Sequence, residues 1–367
     1  MQSKIKNQMR LLALSIVGVV LVSCGPDPVT RASNTPWSSK ENSVKTMNES
    51  EASSSKPTLV DSNVVQGSAI RILQNSLVDS NPRLRANAIE SLRYAPREIL
   101  EQAVQGGLGD ANRGVRFVAA MMIGKESICE LSLLLEPLLL DDSESVQAAA
   151  MYSMYKCGGK VNLTPIAQML HSDNPELRGN AAMIVGQLGN KSAIMLIRDA
   201  LKNTPQTITP IRRRIINLQM AEALILLGER EELEVVRAGV FSSIQEAEVT
   251  ALACQIAGNL HDVEVISTLE GILLTPNRYP DEIRLVAATA LAQIAPNRMP
   301  LETVLRFSSN ASPTIRSQCA TALGVQGNRL SLGPLALMLK DIDPSVQISA
   351  AGAVLRINNR DSLAISH

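Results

Sequence analysis

The chain has 367 residues, 35 basic against 35 acidic, with 45% apolar content and only 2% aromatics. Balanced charge disfavours a nucleic-acid binder, which needs a strongly basic face, and so few aromatics leave little on which bases or sugars could stack. An apolar fraction rich in Ala, Leu and Ile is what stacked helices require.

Residues 1–23 read as a secretion signal. Lys4, Lys6 and Arg10 supply a positive start, and the apolar run Leu11 to Val22 is shorter than the roughly 20 residues a bilayer-spanning helix needs. Leu21-Val22-Ser23-Cys24 then resembles the lipobox of bacterial lipoproteins. That resemblance implies cleavage before Cys24, a diacylglycerol thioether on its sulfur, usually an N-acyl chain, and lipid anchoring in the cell envelope. Gly25 follows the cysteine where the enterobacterial sorting rule would require Asp for inner-membrane retention. The resemblance therefore points to the outer membrane, facing the periplasm. Without residues 1–23 the chain loses three cations and becomes mildly acidic.

Residues 24–62 comprise Cys24 and a linker of Ser, Asn, Pro and charged residues. Such a segment cannot bury enough apolar surface to offset chain entropy. As a flexible tether it spans roughly 35 Å. Trp37, the single tryptophan, lies within it and reads as an idle linker residue.

From residue 63 to 367 one phrase recurs. Its best copy is Asn174-Pro175-Glu176-Leu177-Arg178, running on to Gly189. Asn174 can cap a helix and Pro175 suits its first position. Leu177, Ala181, Ile184 and Leu188 form one apolar stripe, and Gly189 can take the left-handed conformation that ends a helix. With Arg178 as register mark, the equivalents are Arg85, Arg116, Gln147, Asn217, Thr250, Arg284, Arg316 and Gln347, spaced 31 to 39 residues apart. Three residues after each mark stands a small side chain, Ala in seven of nine cases, with Met220 and Cys319 as the exceptions. The start signal recurs as Asn81-Pro82, Thr209-Pro210, Ser312-Pro313 and Asp343-Pro344. A second apolar run precedes each marked helix, as in Leu131 to Leu140, Leu163 to Leu170, Val263 to Leu274 and Leu332 to Leu339. Each unit is thus a helical hairpin that cannot cover its own apolar face and must stack on its neighbours. The predicted fold is all-α, an α-α superhelix of about nine hairpins. Open-ended stacking at roughly 10 Å per layer gives a rod or arc about 90 Å long.

The motif resembles HEAT-like repeats of the bilin-lyase type, whose helix opens Asp-x-x-x-Val-Arg-x-x-Ala-Ala-x-Ala-Leu-Gly. Residues Pro313 to Gly324 and Glu282 to Leu291 carry the likeness, which extends over about residues 65–360. It implies fold more than function, because such superhelices host unrelated roles. The repeat family includes a hydroxylase whose di-iron centre is held by His-Glu pairs. This chain has His171-Ser172 and His261-Asp262, with His367 terminal, and no His-Glu. No acid, base or aromatic pocket for a bilin-lyase activity is evident, and no residue is assigned to catalysis, cofactor or metal.

Three further groups stand out. Cys129 opens the first helix of the third hairpin and Cys157 closes its second. Those ends are neighbours in an antiparallel hairpin, so in an oxidising compartment the pair is a candidate disulfide; the alternative is two separate thiols. Cys254 and Cys319, two repeats apart, read as small core residues. The recurring arginines Arg85, Arg116, Arg178, Arg284 and Arg316 are expected to pair with neighbouring acids such as Asp110, Asp141, Asp142 and Asp173. Between Arg178 and Asn217 the spacing jumps to 39 residues, and two start signals compete, so this helix should begin a turn early. That places Arg212, Arg213 and Arg214 at a helix N-terminus, where the dipole disfavours cations. They are candidate contacts for an anionic partner, the alternative being neutralisation by Glu229, Glu231 or Glu232.

The sequence as a whole leads to a membrane-anchored, protein-binding scaffold or adaptor of the envelope, without cofactor, small-molecule substrate or nucleic acid. An enzyme of the hydroxylase or bilin-lyase type is the alternative.

Overall fold

The computed structural model describes the backbone of residues 61–365, and side chains within that stretch to Arg360, Ile244 excepted. The secretion signal, Cys24, the linker to residue 60 and His367 lie outside it. Seventeen α-helices and several short 3-10 turns make up the described chain. In order they are α1 (Ser62–Ser76), α2 (Pro82–Ser91), α3 (Arg97–Leu108), α4 (Arg113–Lys125), α5 (Glu144–Lys156), α6 (Thr164–Met169), α7 (Pro175–Leu188), α8 (Ile194–Lys202) and α9 (Pro210–Leu226). There follow α10 (Leu233–Val240), α11 (Ala247–Asn259), α12 (Ile266–Leu274), α13 (Asp281–Ile294), α14 (Leu301–Leu305), α15 (Pro313–Gln326), α16 (Leu332–Met338) and α17 (Pro344–Ile365). A 3-10 segment, Cys129–Leu140, takes the place of a first helix before α5. The result is nine hairpins, each a first element followed by a marked helix.

Local chemistry sets the boundaries. Asn81, Asn112 and Asn174 each accept a hydrogen bond from the backbone N–H two residues on, filling one of the free donors at a helix start. Pro82, Pro175, Pro210, Pro313 and Pro344 occupy first-turn positions that need no N–H. Gly189 ends α7 at φ 74°. The helix at the irregular spacing does begin a turn early: α9 has 17 residues against 14 in α7.

The marked helices α2, α4, α5, α7, α9, α11, α13, α15 and α17 pack side by side, while most first elements lie chiefly on the second helix of their own hairpin. The marked helices therefore form the inner layer. What lets them approach is the small residue three places after the mark. In all nine hairpins that position, Met220 and Cys319 included, is wholly buried. Glycine does the same work nearer the helix ends. A Cβ on Gly186 would sit 2.8 Å from the Ala223 Cα, and one on Gly324 2.6 Å from the Ala353 Cα.

The stack does not end in an open arc. α17 packs on both α1 and α2, so the inner layer returns to its start. Ser62 Oγ donates to Asn358 Oδ1 over 2.8 Å, Arg356 lies over the Tyr94 ring at 5.6 Å, and Gly352 leaves room for Ser91. The expected rod or arc is therefore replaced by a closed ring. The physical reason is curvature: inner helices pack more closely than outer elements, every hairpin turns the stack the same way, and nine turns suffice to meet. Nine axes at roughly 9–10 Å spacing define a circle about 28 Å across. Subtracting about 10 Å for a helix with its side chains leaves a lumen on the order of 15–18 Å wide before long side chains enter it.

Candidate functional site

Hairpins are joined by repeated charge clasps. Arg85, in α2, binds Asp110 through both Nε and Nη2, at 2.7 and 2.6 Å. Arg116 in α4 holds Asp141 in the same way and adds Asp142 at 2.6 Å. In α15, Arg316 holds Asp341 at 2.7 Å through each of two nitrogens. Each pair is separated by 25 residues. The remaining nitrogen of each arginine donates to carbonyls of its own preceding loop, such as Asn310 O at 2.8 Å. A planar guanidinium thus fixes one loop and the next at once, which Lys could not do. The Arg316 guanidinium holds the Asp341 carboxyl below the usual carboxylate range. Burial pushes the Asp110 carboxyl up, but Arg85 and the Asn112 N–H outweigh it, so its net shift is downward.

Arg178 and Arg284 depart from the clasp between hairpins. The expected neighbour Asp173 acts on Arg178 through its charge, while the guanidinium donates to Ala200 O at 2.7 Å and Thr204 Oγ1 at 3.3 Å. Its Nε is buried without an acceptor, and burial lowers its pKa. Arg284 binds Leu273 O and Asp281 and lies 5.0 Å from the Phe307 ring centroid.

A second set of clasps links first elements and escaped sequence reasoning. Arg97 reaches Glu130, Arg198 reaches Glu229 and Glu231, Arg237 binds Asp262, and Arg298 binds Glu270. The Arg237–Asp262 pair is again 25 residues apart, so the offset itself was a usable signal.

The three consecutive arginines have neighbours other than the expected glutamates. Glu229, Glu231 and Glu232 do not neutralise them, because those acids surround Arg198. Instead Arg214 pairs with Glu246 and donates to Ser242 Oγ at 2.8 Å, Arg212 lies 4.0 Å from Glu248, and Arg213 donates to Pro205 O at 3.1 Å. The neutralising acids, Glu246 just before α11 and Glu248 in its first turn, come from the neighbouring inner helix, further along the chain.

The inner layer turns polar side chains towards the lumen. Gln293 Nε2 donates to Asn259 Oδ1 at 3.2 Å and Asn259 Nδ2 to Glu222 Oε1 at 3.5 Å, a ladder running over three successive inner helices. Glu222, in hairpin five, acts electrostatically on Lys125, in hairpin two, so side chains from well-separated hairpins come near one another in the lumen. Burial pushes the Glu222 carboxyl up and the Lys125 ammonium down, and each is partly opposed by the charge of the other. At the other end of the inner helices, Arg113 Nη2 lies 4.0 Å from Glu176, skipping a hairpin.

Cys129 and Cys157 are joined in a disulfide, their Cα atoms 5.3 Å apart. Cys254 and Cys319 are buried thiols, and burial pushes each up to about 12. His171 Nε2 lies 3.6 Å from Asp199, and His261 Nδ1 lies 3.1 Å from Asn259 O. Among the described residues, no three His, Cys, Asp or Glu side chains converge in a metal-binding group, and no helix is long and apolar enough to cross a membrane.

Fold and contacts define a closed αα-solenoid ring of nine hairpins. No family model and no curated protein matches the chain. Among solved structures, the chain aligns with a crystal structure of an engineered protein from the Northeast Structural Genomics Consortium. The identity is 17% and the TM-score 0.32, covering 82% of this chain and 96% of that one. A second engineered protein from the same consortium aligns at 15% identity and TM-score 0.19, covering 79% and 96%. At these scores neither adds to the architecture read from the helices themselves.

Proposed function

We propose that the protein is a lipid-anchored, protein-binding scaffold of the cell envelope that performs no chemistry of its own. One observation carries this reading. Among the described residues, the exposed large apolar side chains within helical elements sit on the first, outward elements, with Tyr155 and Leu226 as the exceptions. Met195, Val235, Leu274 and Leu337 are examples, each on a different hairpin. They lie on the outward layer, where contact with another protein would fall if they act together as one apolar surface.

The anchor rests on Leu21-Val22-Ser23-Cys24. Acylation of Cys24 would hold the ring at the membrane on its tether, facing the periplasm from the outer membrane. A disulfide suits such an oxidising compartment. The HEAT-like character of the repeat belongs to the same reading.

Crosslinking in intact cells, followed by mass spectrometry of the linked peptides, tests the proposal. Crosslinks should fall on the outward elements and join them to a recurring protein partner. Met195→Glu with Leu196→Glu should remove those at hairpin five without changing the thermal transition. Crosslinks confined to the inner helices, or stoichiometric iron in the purified protein, would sink the scaffold reading in favour of a HEAT-repeat enzyme.

A further inference from the structure

Several peculiarities of the molecule meet at the third hairpin. Its first element is a twelve-residue 3-10 segment, although such helices rarely run beyond a few residues because their hydrogen bonds are poorly aligned. Pro137 sits inside it and cannot donate, which works against a regular α-helix there. The segment buries only Leu135 and Leu138 and leaves Leu133 and Leu140 75% and 89% exposed. Burial therefore holds it weakly. The bond from its first residue, Cys129, to Cys157 is the covalent tie to α5, beside the Arg97–Glu130 pair near its start and the Arg116–Asp141 clasp just past its end.

Beyond α5 the chain makes a glycine turn, with Gly158 at φ 82°, and no helix forms until Thr164. The next boundary, between α5 and α7, is one of those where the arginine clasp is replaced. Its mark is Gln147, which donates to Asp141 O at 2.6 Å in its own preceding loop and reaches no carboxylate of hairpin four. Asn180 Nδ2 donates across the boundary to Ser145 Oγ at 2.8 Å, while Asn180 Oδ1 is buried with no donor against it. By contrast, the preceding boundary carries both the Arg116–Asp141 and the Arg97–Glu130 clasps.

We infer that hairpin three is a redox-gated joint of the ring. With the disulfide intact, the 3-10 segment is pinned to α5 and the ring is closed. When a dithiol-class reductant opens the bond, the segment loosens and the ring yields between α5 and α7. One thiolate of the reductant attacks a cysteine sulfur, forms a mixed disulfide and expels the other cysteine as a thiolate. Its second thiol then displaces the first cysteine. Two electrons and two protons pass to the protein, which ends with two thiols, and the reductant ends as a disulfide. Cys129 and Cys157 are both partly exposed, unlike the wholly buried Cys254 and Cys319.

Hydrogen exchange of the full-length protein, oxidised and then reduced with dithiothreitol at one pH, decides the matter. Cys254 and Cys319 are already thiols and are untouched by the reductant. Loss of a crosslink closing a loop of this size should speed exchange on the order of a hundredfold in residues 129–140 and 157–174. Residues 250–340 should stay as they were, and reoxidation should restore protection. Unchanged exchange, or an equal rise in every hairpin, would overturn the inference. Cys129→Ser with Cys157→Ser should reproduce the reduced pattern without reductant. If that variant does not fold, reduction of the folded wild type still gives the answer.

Discussion

Ser62 Oγ donates to Asn358 Oδ1 over 2.8 Å across 296 residues of sequence. Asn358 Nδ2 also donates to Gln66 Oε1 at 3.3 Å, so one side chain near the end of the fold fastens the first helix. In an open stack, stability is a sum of local and nearest-neighbour terms, and the end units fray. Closure removes both ends and gives the first hairpin a neighbour on each side. Gly352→Leu should break this seam, because even a Cβ there would lie 2.9 Å from Ser91 Oγ. Small-angle scattering of the variant should show a larger radius of gyration and a lost central hole, with helical content kept. An unchanged scattering profile would mean that the seam does not hold the ring shut.

The clasps should behave as local bonds. Arg316 and Asp341 are both largely shielded, with side chains 13% and 12% exposed. Arg316→Ala should cost about 2 kcal/mol, since it leaves the Asp341 carboxylate half-buried and loses two charged hydrogen bonds. Asp341→Asn should cost somewhat less, and a double-mutant cycle should return a coupling of about 1 kcal/mol or more. Additive losses in urea titrations would show that the pair is decorative.

Acid should open the same clasps. Asp341, Asp262 and Asp110 have folded-state pKa values below the ordinary 3.8. A carboxyl depressed on folding contributes stability that is fully present above its unfolded value and is lost as pH falls through the folded one. The melting temperature should therefore fall steeply from about pH 4 downward. In the Asp341→Asn variant that decline should be shallower, which a set of thermal scans between pH 2 and 6 would reveal.

Arg178 offers a chance to improve on the natural sequence. It is wholly buried, lacks a carboxylate, and reaches Thr204 Oγ1 at 3.3 Å. Thr204→Asp puts a carboxylate where the hydroxyl now stands and should stabilise the ring by about 1 kcal/mol, raising the denaturant midpoint. A lower midpoint would mean that the hydroxyl's own bonds to Ala200 O and Leu201 O matter more.

Changing Arg212, Arg213 and Arg214 together to Gln should now act on stability first. Arg214 bridges to Glu246 and Ser242, and Arg213 closes the loop at Pro205. A loss of about 1 kcal/mol, with crosslinking to partners intact, is the expected outcome. Unaltered stability with partner capture abolished would return these arginines to a binding role.

The sequence by itself determined the units. Cap, first-turn proline, apolar stripe and small residue are encoded within some twenty residues of each hairpin, and local physics acts at that range. Asn174, Pro175, Ala181 and Gly189 could each be assigned a task from spacing alone, and the long α9 followed from two overlapping start signals. Cys129 and Cys157 were legible as neighbours because a hairpin fixes which ends meet, but whether their sulfurs face each other depends on side-chain direction. Only the tertiary structure decided the rest. Closure depends on a few degrees of turn at each hairpin, summed nine times, and no single motif carries that angle. The polar ladder of Glu222, Asn259 and Gln293, the meeting of Lys125 with Glu222, and the acids that answer Arg212 and Arg214 all depend on which helices become neighbours. The approach of Lys125 to Glu222 is set by the accumulated curvature of the ring, a property of the whole chain, and the others by which side chains of successive inner helices face each other.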